Sequence, residues 1–205
     1  MDELSEATVA PHPMVEFAKW YDDAREAMGD DADAMVVATA DASGAPSARV
    51  VLLRGWDARG LCFYTNYESR KGDELRVNPR AAVVLHWPAL HRQVRVTGAV
   101  ERVSDGESDA YWANRPVPSR LSAWASQQSE PVASRQELED AVAAATARFG
   151  DDVPRPEFWG GYRVVPDEVE FWLHRDDRLH DRVRYRRTGG AGESGGDWVI
   201  DRLQP

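Results

Sequence analysis

Residues Arg92-Gln-Val-Arg-Val-Thr-Gly-Ala-Val-Glu-Arg102 alternate between polar and apolar side chains. A repeat of two predicts an antiparallel strand with one face in the core and the other in solvent. Other runs rich in β-branched and aromatic residues predict further strands, at 35–39, 48–54, 61–65, 81–87, 161–165, 169–173, 182–187 and 198–203. The turn sequences Asp41-Ala-Ser-Gly44 and Asp57-Ala-Arg-Gly60 are typical of hairpin connections between such strands.

Helices are predicted between these strands. Apolar residues at near-helical spacing indicate a first helix over Pro13–Met28. Ser104 with Glu107, and Ser134 with Glu137, have the spacing of a capping box, and the second helix is predicted to continue to about Phe149. Antiparallel strands with intervening helices favour a mainly β, α+β barrel or sandwich over a doubly wound sheet.

Two segments are predicted to lack regular structure. The first ten residues are acidic and small, and we expect a disordered tail. The glycine-rich stretch at 189–196 resembles a phosphate loop, but no helix follows it and no Lys-Ser/Thr pair closes it. We therefore interpret it as a flexible hairpin tip.

Composition limits the possible functions. A chain of 205 residues that is 42% hydrophobic predicts a single domain, here residues 11–205. A net charge of -10 argues against a nucleic acid or an anionic membrane as partner. There is no apolar run long enough for a membrane span and no signal pattern, which predicts a cytoplasmic protein. The lone Cys62 is expected to be buried, and the histidine spacing predicts no metal site.

The segment Arg178-Leu-His180-Asp-Arg182 carries two guanidiniums and an imidazole within five residues. If it is a strand, the side chains of Arg178, His180 and Arg182 share one face. Such a face suits a phosphorylated small molecule, because Arg forks match phosphate oxygens. A solvated basic edge strand is the alternative interpretation.

A second basic cluster, Ser69-Arg-Lys71, stands where a helix is predicted to begin. Cations and free backbone amides at a helix N-terminus make a phosphate site, although an ordinary cap with solvated charges is the alternative. Arg49 and Arg54 lie on opposite faces if their strand is regular.

Aromatic and amide side chains suggest a flat ligand. The chain has eight Trp residues, and Gln93 and the pair Gln128-Ser129 offer groups that can bind a heterocycle edge. No nucleophile motif is present. The residues alone therefore point to a planar, phosphate-bearing cofactor that supplies the chemistry, with a second anionic ligand beside it.

From about Pro46 to the C-terminus, the sequence resembles the pyridoxamine 5′-phosphate oxidases. The resemblance rests on Arg49-Val-Val-Leu-Leu-Arg54, Phe63-Tyr-Thr-Asn66, Ser69-Arg-Lys71, Arg92-Gln-Val94, Ala123-Trp-Ala-Ser-Gln-Gln-Ser129, Phe158-Trp-Gly-Gly161, Glu170-Phe-Trp172, Arg178-Leu-His-Asp-Arg182 and Trp198-Val-Ile-Asp-Arg-Leu203. It implies the FMN-binding split barrel, an antiparallel β-barrel with flanking helices, and a homodimer with FMN at the subunit interface.

Carried over by position, the resemblance implies two sets of contacts. FMN contacts are expected from Arg49, Tyr64, Thr65, Arg70, Lys71, Gln93, Gln128, Ser129, Trp172 and Arg182. Substrate contacts are expected from Arg54, Tyr111, Arg115, Ser119, Arg178 and His180, of which Arg178 and His180 are the expected catalytic pair. The family usually has Lys at the position of Arg54, and this departure bears on phosphate geometry.

The resemblance also implies an activity. It is the oxidation of pyridoxamine and pyridoxine 5′-phosphates to pyridoxal 5′-phosphate, with O2 as electron acceptor and hydrogen peroxide as product. Two alternatives are a different flavin oxidoreductase on the same barrel, such as a phenazine-type oxidase, and a binding protein without turnover.

Overall fold

In this computed structural model, which describes residues 4–189 and 197–205, the described chain contains nine strands and five α-helices. The strands are β1 (Ala34–Ala40), β2 (Pro46–Leu52), β3 (Gly55–Asp57), β4 (Gly60–Asn66), β5 (Arg80–Trp87), β6 (Arg92–Arg102), β7 (Trp159–Leu173), β8 (Asp181–Arg187) and β9 (Trp198–Arg202). The helices are α1 (Pro13–Met28), α2 (Arg70–Val77), α3 (Asp105–Ala113), α4 (Val117–Ala125) and α5 (Arg135–Phe149).

All strands pair antiparallel in one sheet of order β2-β1-β5-β6-β7-β4-β3. β7 is the strand at which the sheet branches. Its first half pairs with β4, its second half pairs with β8, and β6 runs along its other side. β9 then pairs with β8. The branching separates the C-terminal strands, β8 and β9, from the rest of the sheet.

β7 corrects one prediction, because 161–165 and 169–173 were expected to be separate strands and form one. Pro166 lies between them without ending the strand. The β6–β7 register shifts between Thr97 and Gly98, which leaves Asp167 without a partner residue, a β-bulge. A bulge tolerates a proline because the ladder hydrogen bond is already interrupted there.

Gly98 makes the bulge possible. A Cβ at this position would lie 1.9 Å from the Val165 carbonyl oxygen, so only glycine lets the two backbones approach.

Helix α1 covers the sheet and has the predicted bounds. It begins after His12, whose Nδ1 accepts a hydrogen bond from the Met14 amide, and it buries Phe17 and Trp20. The main core holds these residues together with large side chains from the strands, among them Phe63, Trp87, Phe171 and Tyr185. A second, smaller core lies among α3, α4, α5 and the start of β7, around Trp112, Leu121 and Trp159.

The N-terminal segment differs from the predicted disordered tail over residues 4–10. Leu4 is buried, and its carbonyl accepts a hydrogen bond from Arg202 at 2.9 Å. The Tyr185 hydroxyl donates to the Ala10 carbonyl at 2.7 Å. The segment is ordered because the last strands supply these partners, which the local sequence does not reveal.

The flexible hairpin tip predicted at 189–196 lies outside the described residues from 190 onward. Within residues 4–189 and 197–205, no helix combines the length and apolar character needed to cross a bilayer.

Candidate active site

A cavity of about 830 Å³ opens beside β2, the end of β4 and the first turns of α2 and α4. Most of the side chains predicted to contact cofactor or substrate line it: Arg49, Arg54, Tyr64, Thr65, Arg70, Lys71, Tyr111, Arg115, Ser119, Gln128 and Ser129. Five of these side chains are arginine or lysine, in a chain whose net charge is -10. The cavity therefore concentrates positive charge and suits an anionic ligand.

One end of the cavity is the N-terminus of α2. The helix begins at Arg70 after Ser69, as the sequence predicts, but the Ser69 hydroxyl donates to the Asn66 carbonyl at 2.7 Å instead of capping the helix. The first-turn amides of α2 therefore have no side-chain cap from Ser69, and Arg70 and Lys71 of the same turn line the cavity. This geometry favours an anion.

Lys71 is the most buried cation of the cavity wall, with 8% of its surface exposed. Its ammonium donates to Thr65 Oγ1 at 3.0 Å, to Ser69 Oγ at 3.2 Å and to Gln128 Oε1 at 2.7 Å. Burial, with Arg49 nearby, lowers its pKa to about 8. A bound anion would favour the charged ammonium and raise this pKa, so the charge of Lys71 depends on ligand binding near physiological pH.

Glu74 is a site residue that the sequence analysis missed. Its side chain is 5% exposed and accepts hydrogen bonds from Ser47 at 2.6 Å and Arg70 at 2.9 Å, and from Thr39. Arg49 Nη2 lies 3.3 Å from the same carboxylate. Burial raises the pKa of Glu74, but the hydrogen bonds from Ser47, Thr39 and Arg70 outweigh it and lower the pKa to about 2.

Glu74 is therefore ionised at neutral pH and forms ion pairs with both Arg49 and Arg70. The only sequence signal was its position four residues after Arg70, which is also common on solvated helices.

The other end of the cavity lies at the start of α4. Arg115 Nη2 donates to the Ser119 carbonyl at 3.0 Å, and its guanidinium stands 4.8 Å from the centroid of the Trp159 ring. Its Nε is buried and has no hydrogen-bond partner among the described residues. The Tyr64 and Tyr111 rings stack at 3.9 Å beside it. Arg115 lines the cavity, and its guanidinium favours an anionic ligand here as well.

Arg49 and Arg54 both reach this cavity, although a regular strand would direct them to opposite faces. The reason is that β2 ends at Leu52. Arg54 follows in a segment where its amide bonds the Cys62 carbonyl at 2.9 Å. Cys62 itself is buried and free, as predicted.

The remaining predicted residues form a separate C-terminal cluster, defined by Gln93, Trp172, Arg178, His180 and Arg182. Gln93, Trp172 and Arg182 are cross-strand neighbours on β6, β7 and β8. The His180 ring lies 4.7 Å from the Trp172 ring, and Arg182 Nε donates to Glu170 at 2.7 Å. None of the five belongs to the residues that line the cavity within the described chain.

The prediction that Arg178, His180 and Arg182 share one strand face is wrong. β8 begins only at Asp181, and Asp176–Arg178 form a short 3₁₀ turn. Asp177 and Arg178 have φ of 56° and 61°, in the left-handed region. Two consecutive left-handed residues interrupt strand periodicity and leave Arg178 exposed in a loop.

The loop fixes the orientation of His180. The Arg175 amide donates to His180 Nδ1 at 3.1 Å, so in the neutral imidazole the proton is on Nε2. Arg175 Nε also bonds Asp181 at 2.6 Å and closes the loop around the histidine.

The chain matches two family models. Residues 21–149 match the model described as pyridoxamine 5′-phosphate oxidase. Residues 159–205 match the model described as the pyridoxine 5′-phosphate oxidase C-terminal dimerisation region. The cavity lies within the first match, and most of the C-terminal cluster lies within the second.

Individual relatives agree with this assignment. The chain is 54% identical to the pyridoxine/pyridoxamine 5′-phosphate oxidase of Cupriavidus necator, over 100% of this chain and 94% of the relative. Among solved structures, PhzG from Burkholderia lata with bound tetrahydrophenazine-1-carboxylic acid has a TM-score of 0.90 at 34% identity, covering 100% of this chain and 99% of PhzG.

A pyridoxamine 5′-phosphate oxidase-related, FMN-binding protein from Nostoc punctiforme has a TM-score of 0.73 at 20% identity. It covers 97% of this chain and 99% of its own, and it confirms the split-barrel fold class. Both family models and the identity to full-length relatives lead to one assignment: the chain belongs to the pyridoxamine 5′-phosphate oxidase family.

Proposed function

We propose that this protein is an FMN-dependent oxidase that converts pyridoxamine 5′-phosphate and pyridoxine 5′-phosphate to pyridoxal 5′-phosphate, with O2 as electron acceptor and hydrogen peroxide as product. One observation carries the proposal. A single cavity has a cationic group of side chains at each of two helix N-termini, those of α2 and α4. Such a cavity suits two phosphorylated ligands held side by side.

The α2 end fits the FMN phosphate. Arg70 and Lys71 would bind it together with Arg49, and Glu74 keeps the two guanidiniums in place. Thr65 and Gln128 hold the Lys71 ammonium at the cavity wall and would lie beside the flavin. The cavity volume, about 830 Å³, is in the range of cofactor sites.

The α4 end fits the substrate phosphate. Four side chains with N–H or O–H donors line this end of the cavity: Arg54, Tyr111, Arg115 and Ser119. Guanidinium forks and hydroxyl donors are the groups that bind a phosphate monoester most directly.

The C-terminal cluster completes the site from a second copy of the chain. Within one protomer it does not line the cavity, yet Trp172, Arg178, His180 and Arg182 fall in the region matched by the dimerisation model. A homodimer would bring this cluster of one protomer to the cavity of its partner. This explains why a single chain separates residues that are expected to act together.

The protein's own residues bind and orient. FMN supplies, when bound, hydride acceptance from the substrate carbon and two-electron reduction of O2 to hydrogen peroxide. Arg178 and His180 would lie against the pyridine ring, with His180 Nε2–H as the donor because Nδ1 already accepts from Arg175. Positioning of this kind lowers the barrier without a nucleophile from the protein.

Anaerobic mixing tests the proposal. FMN-loaded protein is mixed with pyridoxamine 5′-phosphate while the flavin absorbance is followed. We expect bleaching that air reverses, with one pyridoxal 5′-phosphate formed per flavin reduced. Unphosphorylated pyridoxamine is the matched control and should bleach the flavin far more slowly, because the α4 end then lacks its anion.

Flavin that binds but stays oxidised would contradict the proposed substrate. The same mixing with a reduced phenazine carboxylic acid would then test the phenazine-type alternative, which the PhzG likeness favours. No reduction by either ligand would leave a flavin-binding protein without turnover.

A further inference from the structure

Arg54 stands in the wall between two cavities. One is the candidate active site, and the other is a cavity of about 700 Å³ lined by Tyr21, Arg25, Asp33 and Trp56 among others. Arg54 Nη1 donates to Asp33 Oδ2 at 2.9 Å across this wall. Arg54, which is expected to bind the substrate phosphate, is therefore hydrogen-bonded to a carboxylate that lines the second cavity.

Asp33 is itself firmly held. Its side chain is 8% exposed, and Oδ1 accepts from the Tyr21 hydroxyl at 2.6 Å and from Arg25 at 3.1 Å. Its carbonyl accepts the Leu53 amide at 2.8 Å, one residue before Arg54. Burial and the bond to Asp33 raise the pKa of Tyr21 to about 12, so the phenol remains a donor at any physiological pH.

These contacts suit arginine and not lysine. A guanidinium has five N–H donors in a rigid plane, so one edge can bond Asp33 while the rest faces the cavity. A lysine ammonium is a single point charge, and placing it against Asp33 would withdraw it from the cavity. Arg54 stands where the family usually has lysine, and Asp33 accepts a hydrogen bond from one of the additional N–H donors that arginine provides.

We propose that Asp33 is a positioning residue that fixes the Arg54 guanidinium for the substrate phosphate, and so favours phosphorylated over unphosphorylated substrates. The proposal rests on the proposed function. It involves no direct contact of Asp33 with the substrate. Tyr21 and Arg25 serve to hold Asp33.

Charge and position predict opposite results for loss of Asp33. Removing a carboxylate makes the region more positive, and charge alone would tighten phosphate binding. If position dominates, phosphate binding weakens. Asp33 accepts from Tyr21, Arg25 and Arg54 with two oxygens, whereas an asparagine side chain has only one oxygen acceptor for these three donors. The direction of the change therefore decides between the two.

The experiment measures steady-state kinetics of FMN-loaded Asp33→Asn. We expect the KM for pyridoxamine 5′-phosphate to rise about tenfold with kcat within about twofold, since one charged hydrogen bond to the phosphate is misplaced. The kcat/KM for unphosphorylated pyridoxamine should not change. A purely structural defect would lower the kcat/KM for both substrates together, and this result would overturn the proposal. An unchanged or lower KM for pyridoxamine 5′-phosphate would also overturn it.

Asp57→Asn is the control, because it removes a carboxylate whose partner, Arg59, does not line the active-site cavity. It should leave the KM for pyridoxamine 5′-phosphate unchanged. Arg54→Lys is the second variant, and it tests the same contact from the other side if Asp33→Asn fails to fold. Its KM should also rise about tenfold, and adding Asp33→Asn to it should change the KM little, since the coupled bond is already lost. If the two substitutions raised the KM independently, so that their effects multiplied in the double variant, the proposed coupling of Asp33 and Arg54 would be contradicted.

Failure of the proposed function gives a different pattern. If the wild-type protein does not oxidise pyridoxamine 5′-phosphate, calorimetric titration with inorganic phosphate and with pyridoxal 5′-phosphate still tests Asp33. Asp33→Asn should weaken both by about tenfold while the Kd for FMN stays the same. Unchanged binding of both ligands would overturn the positioning role, whatever the reaction.

Discussion

The Lys71 ammonium donates to the Gln128 side-chain oxygen at 2.7 Å, joining the first turn of α2 to the segment that follows α4. Fifty-seven residues separate the two along the chain. The same Gln128 oxygen accepts from Thr65 at 2.9 Å, at the end of β4. Three elements thus meet at one buried cation, and the properties of that cation govern the cofactor end of the cavity.

Binding of FMN should weaken as pH rises through about 8. Burial lowers the pKa of Lys71 to about 8, so in the free protein the ammonium loses its proton above that pH. The charged form is the one that attracts phosphate, and the Kd should increase by up to roughly tenfold per pH unit. Flavin fluorescence titrations between pH 7 and 9.5 measure it. Lys71→Met should bind more weakly at pH 7 and show a flatter profile; a flat wild-type profile would contradict the assignment.

Glu74→Gln should destabilise the protein at neutral pH and less so in acid. The folded-state pKa is about 2 against an ordinary value of 4.5, so the stabilisation is complete above pH 4.5 and is lost as pH falls toward 2. At pH 7 we expect a loss of about 1.5–3 kcal/mol in the free energy of unfolding. Urea denaturation at pH 7 and pH 3 measures the difference, which should shrink at pH 3.

The chain offers a matched control for this variant. Arg135 and Glu139 form an ion pair with the same i,i+4 spacing as Arg70 and Glu74, but on an exposed face of α5. Glu139→Gln should change the free energy of unfolding by less than about 0.5 kcal/mol. Equal effects at the two positions would mean that burial of Glu74 does not matter.

Gly98→Ala should destabilise the sheet. The new Cβ would lie 1.9 Å from the Val165 carbonyl oxygen, in the bulge that lets β7 run past Pro166. Overpacking against backbone costs about 1–3 kcal/mol. Gly106→Ala, in helix α3 with no atom within 4 Å of the added Cβ, should be neutral or stabilise by about 0.5–1 kcal/mol. Thermal melts compare the two, and similar Tm values would contradict the bulge argument.

Arg178→Ala should lower turnover more than flavin content. Arg178 is exposed in the loop before β8, and the family resemblance assigns it to the substrate and not to the cofactor. We expect kcat/KM for pyridoxamine 5′-phosphate to fall at least about tenfold with the FMN absorbance per protein unchanged. Arg135→Ala, on exposed α5, should change neither. Equal loss of turnover and flavin would contradict this role.

Some elements could be predicted from sequence because their signals are local. α1 has the predicted bounds, Pro13–Met28, since helical spacing of apolar residues and a proline at the start lie within one segment. β6 likewise spans Arg92–Arg102, where alternation is regular. The loop before β8 was considered as a possible strand, because the left-handed conformations of Asp177 and Arg178 have no glycine to mark them.

Asp33 and Glu74 show why part of the site was missed. Each is one carboxylate among 35 acidic residues, and neither belongs to a motif. Their importance comes from burial against arginines that lie 21 and 25 residues away, in other elements. A periodicity argument detects which face of an element is buried, but it does not identify the partner across the core.

Local pattern and residue identity were enough to predict most of the strands and helices, the family, and the side chains available for phosphate and flavin. The tertiary structure decided which cations converge on one cavity and which carboxylates orient them. It also placed the C-terminal cluster away from that cavity within one protomer. The two groups are separate because β7 branches and its two halves pair with different strands, β4 and β8.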